Sequence, residues 1–143
     1  MIIPGRFIGD APYFAVHLRW GLLEGLILFL ADTGASRTTL LDRDIRLLGI
    51  PSAAMEPAQA AIVGIGGSVR SFVVRDVQLT FRADAGALVL RHDLWAVQHD
   101  LDRLPPEEVS RLLRLPSILG CDLMNRFRFV GDYQSGKVAL EGS

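Results

Sequence analysis

Asp32 is the residue in this sequence best placed to do chemistry. It ends the apolar run Leu26-Ile27-Leu28-Phe29-Leu30-Ala31 and is followed directly by Thr33-Gly34-Ala35-Ser36. Burying a charged carboxylate beside that much hydrocarbon is unfavourable unless hydrogen bonds or a partner compensate. Thr33 and Ser36 supply hydroxyls, and Gly34 supplies a backbone free to turn its N–H inward. A carboxylate held in this way suits general acid–base work on a proton. A strand that simply ends in an Asx-type turn has the same local look, so the weight falls on what lies downstream.

Two further stretches carry information. Ala60 to Val69 places Gly64, Gly66 and Gly67 between apolar, β-favouring flanks, which predicts a hairpin with a mobile tip. A phosphate-binding glycine loop is the competing reading. It fails because Ser71-Phe72-Val73-Val74 continues as strand, whereas such loops open a helix. The other stretch is Ile118-Leu119-Gly120-Cys121-Asp122-Leu123-Met124-Asn125-Arg126-Phe127, a short strand running into a short amphipathic helix. His92-Asp93 and His99-Asp100 carry metal-capable side chains without a tight ligand spacing, and read as polar surface loop. No metal or organic cofactor is implied. Serine or cysteine nucleophilic catalysis is disfavoured too, since neither residue type sits in a recognisable motif with a placed histidine.

The elements that must position these residues follow from periodicity. Met1 to Pro12 is punctuated by Pro4-Gly5 and Gly9-Asp10-Ala11-Pro12, and reads as loop or short edge strand. Phe14, Val16, Leu18 and Trp20 alternate with Ala15, His17 and Arg19 as a half-buried strand. Gly21 to Gly25 turns the chain back into Leu26 to Leu30, so the hairpin points at Asp32. Asp42 to Leu48 reads as a short helix stopped by Gly49, and Pro51 to Pro57 as loop. Val77, Leu79 and Phe81 predict a further strand, Ala83 to Gly86 a turn, and Ala87–Leu90 and Leu94–Val97 two short strands. Asp102 to Pro116 predicts a helix, with Pro105 and Pro106 near its start and the apolar stripe Val109, Leu112 and Leu113. Asp132-Tyr133 and the strand Lys137 to Leu140 close the chain.

Composition bounds the function classes. A chain of 143 residues, 50% hydrophobic and 22% charged, is one compact domain rather than a disordered segment. A formal net charge of −1 offers no case for nucleic acid or an anionic membrane surface as partner. The single cysteine, Cys121, excludes an intrachain disulfide and suits a reducing compartment. No apolar run approaches the about 20 residues a membrane helix needs, and Met1-Ile2-Ile3-Pro4-Gly5-Arg6 lacks the features of a signal peptide. A cytoplasmic location is expected.

In order, Asp32-Thr33-Gly34-Ala35-Ser36, the glycine-rich hairpin and Ile118-Leu119-Gly120 resemble the retropepsin-like aspartic peptidases. The continuation Leu-Gly-x-Asp-x-Met-x-Arg is closer to their cellular and bacterial members than to the compact viral ones. The resemblance runs from about Phe14 to Leu140. It implies a mainly β fold, a closed β-barrel with a flap hairpin and two or three short helices, in a single domain over 1–143 with 103–116 as a helical insertion. It implies an aspartic endopeptidase in which two aspartates share one proton. Only one Asp-Thr-Gly is present, so the second aspartate must be Asp32 of another copy in a homodimer. On this reading Thr33 hydrogen-bonds across the two-fold axis and Gly34 leaves room for a peptide. Ala35, Ser36 and the flap residues Gly64, Ile65, Gly66 and Gly67 contact that peptide, with Ile65, Ile118 and Leu119 as apolar walls.

Viral members pair an acidic residue after Asp-Thr-Gly-Ala with an arginine after the final glycine. Ser36 and Cys121 occupy those positions, and Arg37 with Asp122 offers a substitute pair of reversed polarity. Cys121 is expected to be a small buried residue, with redox sensing as the alternative. Two rival readings stand beside the peptidase. One is a catalytically inactive retropepsin-like dimerisation or peptide-binding domain, and the other an unrelated all-β module in which Asp32 only caps a turn.

Overall fold

The computed structural model describes residues 1–58 and 69–142. In chain order the elements are β1 (Ile2–Pro4), β2 (Arg6–Ile8), β3 (Ala11–Trp20), β4 (Leu23–Ala31), β5 (Thr39–Leu40), α1 (Asp42–Leu48), β6 (Glu56–Pro57), β7 (Val69–Ala83), β8 (Gly86–His99), α2 (Pro106–Leu112), β9 (Ile118–Leu119), α3 (Cys121–Met124), β10 (Arg128–Asp132) and β11 (Lys137–Glu141). The path β3-β4-β9-β5-β8-β7 returns to β3, which closes a six-stranded barrel with β2 and β6 on its flanks. A separate antiparallel sheet, β1-β11-β10, lies beside it and brings the two ends of the chain together.

The β3–β4 hairpin shows how alternation becomes a core. Phe14, Val16 and Leu18 face inward, opposite Phe29, Ile27 and Gly25 across the ladder. On its other side β3 meets β7, with Val16 opposite Phe81 and Leu18 opposite Leu79. Phe14, Phe29, Phe81, Ile27 and Leu79 are at most 1% exposed, so each contributes roughly 1.5–3 kcal/mol of burial. Their neighbours Ala15, His17 and Arg19 point outward, as the period of two requires. Helix α1 ends at Gly49, whose φ of 70° is the left-handed conformation a side chain resists.

Several sequence expectations change in extent. The separate strands expected at Ser71–Val74 and Val77–Phe81 are one strand, β7, and those at Ala87–Leu90 and Leu94–Val97 are one strand, β8. A register shift between Val74 and Val77 breaks the alternation that marked the first pair as distinct. Asp76 sits in that bulge at φ 55°, and its N–H donates to Asp93 Oδ1 at 2.8 Å. The helix expected over 102–116 is shorter. Leu101–Arg103 forms a 3₁₀ turn and α2 starts at Pro106, because adjacent prolines cannot extend a helix backward. The loop expected over 51–57 contains a 3₁₀ turn at Ser52–Ala54 and the short strand β6.

His92-Asp93 and His99-Asp100 need a plainer correction, for they do not form a surface loop. His92, Asp93 and His99 lie on β8, and His99 is 4% exposed. The His99 backbone N–H donates to Asp42 Oδ1 at 2.9 Å, and its Nδ1 meets Asp42 Oδ2 at 2.5 Å. The strand continues through these polar residues because a buried partner, 57 positions away in sequence, meets the backbone N–H and Nδ1 of the last of them, while its Nε2 has no partner among the described residues. No local pattern announces such a partner.

Candidate active site

Asp32 emerges at the end of β4, where β9 runs parallel and places Leu119 beside Ala31. The Asp32 N–H donates to the Leu119 carbonyl at 3.0 Å, which fixes the start of the loop to the barrel. The loop then folds on itself. Ala35 N–H donates to the Asp32 carbonyl at 3.1 Å, and Gly34 N–H donates to Asp32 Oδ1 at 2.9 Å. A Cβ on Gly34 would stand 3.2 Å from that same oxygen, so glycine lets the amide approach the carboxylate unobstructed. Oδ2 accepts no hydrogen bond from the described residues, and Asp32 is half-buried. One oxygen is held, and the other has no partner among the described residues.

The loop is clamped from beneath by the Ile118-Leu119-Gly120 segment. Cys121 N–H donates to the Ala35 carbonyl at 2.8 Å, and Gly120 N–H donates to Thr38 Oγ1 at 3.0 Å. The Cys121 thiol donates to the Thr33 carbonyl at 3.2 Å and is half-buried, so it acts as a strut of the loop. Asp122 Oδ1 accepts from the Thr38 N–H at 2.9 Å, the Thr38 hydroxyl at 2.7 Å and the Leu123 N–H at 3.0 Å. Its Oδ2 lies 2.9 Å from His92 Nε2. Deeper in the barrel, the Ser117 hydroxyl donates to Asp44 Oδ2 at 2.6 Å and accepts the Leu41 N–H at 3.0 Å.

Gly120 is indispensable to this clamp. A Cβ there would meet the Arg37 carbonyl carbon at 2.5 Å, its oxygen at 2.6 Å and its nitrogen at 2.9 Å, all backbone atoms. Gly120→Ala is therefore expected to destabilise the fold by at least about 1–3 kcal/mol, the usual cost of overpacking. Urea unfolding is the measurement, and a loss below about 0.5 kcal/mol would show that the two segments part easily.

Of the residues expected to form the site, Asp32, Thr33, Gly34, Ala35 and Ser36 occupy one loop, with Thr33 and Ser36 exposed. Ile118 is half-buried beside Leu30 and Thr39. Leu119 is 1% exposed within the core, so it cannot serve as a pocket wall while the core is intact. Gly64, Ile65, Gly66 and Gly67 lie outside the described residues. The expected Arg37–Asp122 pair does not form. Asp122 is taken up by Thr38 and His92, while the Arg37 guanidinium stacks over Trp95, 4.2 Å from the ring centroid. Sequence reading missed Thr38, Trp95, Asp44 and Ser117, and took His92 for surface loop; the partners of these residues are mostly remote along the chain. Asp122 falls in the Leu-Gly-x-Asp pattern, the one local signal that pointed at this network.

The strands that lead to residues 59–68 are tied at their base. Glu56 pairs with Val73 in the ladder, and Arg75 bridges Glu56 at 3.0 Å and Asp93 at 3.1 Å. The hydrogen bond and charge of Arg75 hold the Glu56 carboxyl below its ordinary value. The Asp76 backbone N–H, then Arg75, do the same for Asp93. Among the described residues there is no cluster of three or more His, Cys, Asp or Glu side chains suited to a metal, and no helix long and apolar enough to cross a membrane.

No protein-family model and no curated protein matches the chain. Solved structures do. The chain is similar to a retropepsin-like aspartic protease from Rickettsia conorii, with a TM-score of 0.55 and 20% identity over 98% of this chain and 88% of that one. It is also similar to the retroviral protease-like domain of Ddi1 from Leishmania major, with a TM-score of 0.51 and 12% identity over 90% of this chain and 93% of that one. At such identities the likeness is one of fold, and it spans nearly the whole of each chain.

Proposed function

We propose that this chain, which has the retropepsin-like fold, is an aspartic endopeptidase whose site is completed by a second copy of itself. The observation that carries the reading is the state of Asp32. One of its oxygens is fixed by Gly34 N–H, and the other has no partner among the described residues, on a loop clamped to the barrel. One such carboxylate is half a catalyst, because peptide hydrolysis needs a group to take a proton from water and another to give one to the carbonyl. Two Asp32 side chains across a two-fold axis supply both. Close carboxylates cannot both ionise cheaply, so the pair holds one proton between them.

In the proposed reaction the ionised Asp32 draws a proton from a water lying between the two loops. The oxygen of that water bonds to the scissile carbonyl carbon, while the partner's Asp32 donates its proton to the carbonyl oxygen. Collapse of the tetrahedral intermediate breaks the C–N bond, with a proton delivered to the leaving amine, and the dyad is left with one proton. Thr33 braces the paired loops, Gly34 leaves room for the peptide, and Ala35, Ser36 and Ile118 contact it. Residues 64–67 cover it. Residues 1–143 act as a single domain in which 103–116 is an insertion that packs through Leu112.

A mixed peptide library tests the reading. The rate is expected to be bell-shaped in pH and highest on the acid side of neutrality, because activity needs the singly protonated pair. Cleavage is expected between large apolar residues of extended peptides. A rate that stays flat up to pH 9, or strict cutting beside Lys or Arg, would count against a shared carboxylate pair. An inert library with intact dimers would favour a binding domain without turnover.

A further inference from the structure

A cavity of about 700 Å³ lies at the far end of the Asp32 loop. Ser36 and Arg37 form one of its walls, and the others come from β7 and β8 and from Asp122. The charges lining it are almost fully matched. Arg75 bridges Asp93 at 3.1 Å, Arg91 meets Asp76 at 3.3 Å, and His92 lies 2.9 Å from Asp122. Each lining carboxylate thus has a partner. Among the described residues Arg37 is the lining cation without one.

Arg37 is also held in place. Its peptide unit packs against Gly120 so closely that no side chain fits there, and its carbonyl accepts the Thr39 hydroxyl at 3.1 Å. Its guanidinium lies on the Trp95 ring. That contact holds the group against the ring, and its N–H donors, without a carboxylate partner among the described residues, can take one. A cation fixed five residues beyond Asp32, in a cavity with no opposing free acid among the described residues, is arranged for an anionic side chain.

We propose that this cavity is a subsite for an acidic residue of the bound peptide, and that Arg37 sets that preference. The assignment rests on the peptidase reading for its substrate class. The acidic residue lies to one side of the scissile bond, so the apolar residues flanking the cut remain as expected above. Nothing in the cavity bonds covalently to the peptide; Arg37 orients it through charge and a pair of hydrogen bonds.

The experiment uses extended peptides identical except for one Asp, Asn or Lys, moved through each position in turn. Each is measured twice, as cleavage by the parent dimer and as fluorescence anisotropy on binding to the Asp32→Asn dimer. At one position Asp is expected to exceed Asn by about five- to tenfold in both kcat/KM and affinity, the scale of one partly exposed charge-assisted contact. Raising ionic strength to about 1 M, where the screening length falls to about 3 Å, should compress that ratio. Arg37→Gln should bring the Asp-to-Asn ratio toward one, and Arg37→Glu should turn the preference to Lys. An Asp-to-Asn ratio near one at every position, or a preference that Arg37→Glu leaves in place, overturns the subsite. The two readouts separate the subsite from the reaction. Charge-dependent binding that follows Arg37 without any cleavage keeps the subsite and removes the peptidase, whereas cleavage with charge-blind binding does the reverse. Neither cleavage nor binding overturns both.

Discussion

Asp32→Asn is expected to lower peptide hydrolysis by at least about a hundredfold, the range lost when a general acid–base group is removed. The amide keeps the shape of the carboxylate, and its oxygen can still accept the Gly34 N–H that Oδ1 accepts now. The loop is further held by Asp32 N–H on Leu119, Cys121 N–H on Ala35 and the Thr38–Asp122 cluster, none of which needs the Asp32 side chain. The variant is therefore expected to melt within a few degrees of the parent and to keep its association state. What it loses is a group that can pass a proton. Purified variant that turns over at more than a few per cent of the parent rate would return Asp32 to the role of a turn residue. A variant that fails to fold would show instead that the carboxylate is structural.

Mixing intact and Asp32→Asn chains should poison activity far beyond simple dilution. With a ninefold excess of the variant and free exchange, about one intact chain in ten finds an intact partner, so activity per intact chain should fall about tenfold. The surfaces of the two chains are the same, so exchange is unbiased. A mixed dimer has one carboxylate and one amide, and the symmetric site holds no spare acid in the loop. Dilution of the parent alone should lower specific activity in step with dissociation, measured by sedimentation at the same concentrations. Full activity per intact chain in exchanged mixtures, or unchanged activity in a demonstrably monomeric sample, would require a complete site within one chain. That outcome would remove the shared pair even if Asp32 proved essential.

The sequence by itself determined the elements whose cause is local. Alternation of Phe14, Val16 and Leu18 made a strand because successive side chains of an extended chain point to opposite faces. Gly49 ended α1 because the left-handed conformation there suits glycine. The succession of Asp-Thr-Gly, a glycine-rich stretch and Ile-Leu-Gly pointed to the fold that the similarity to solved structures supports. Tertiary structure decided whatever depends on partners distant in the chain. His92 and His99 became parts of a strand and not a loop, since Asp122 and Asp42 meet them across 30 and 57 positions. Arg37 stacked on Trp95 and left Asp122 to Thr38, a choice between partners that spacing along a chain does not encode. Leu119 turned into the core while Ile118 stayed half-buried, because β9 is wedged between β4 and β5 and only one of its faces can meet the barrel interior. Local propensity acts over a few residues, whereas these contacts exist only once the barrel has closed.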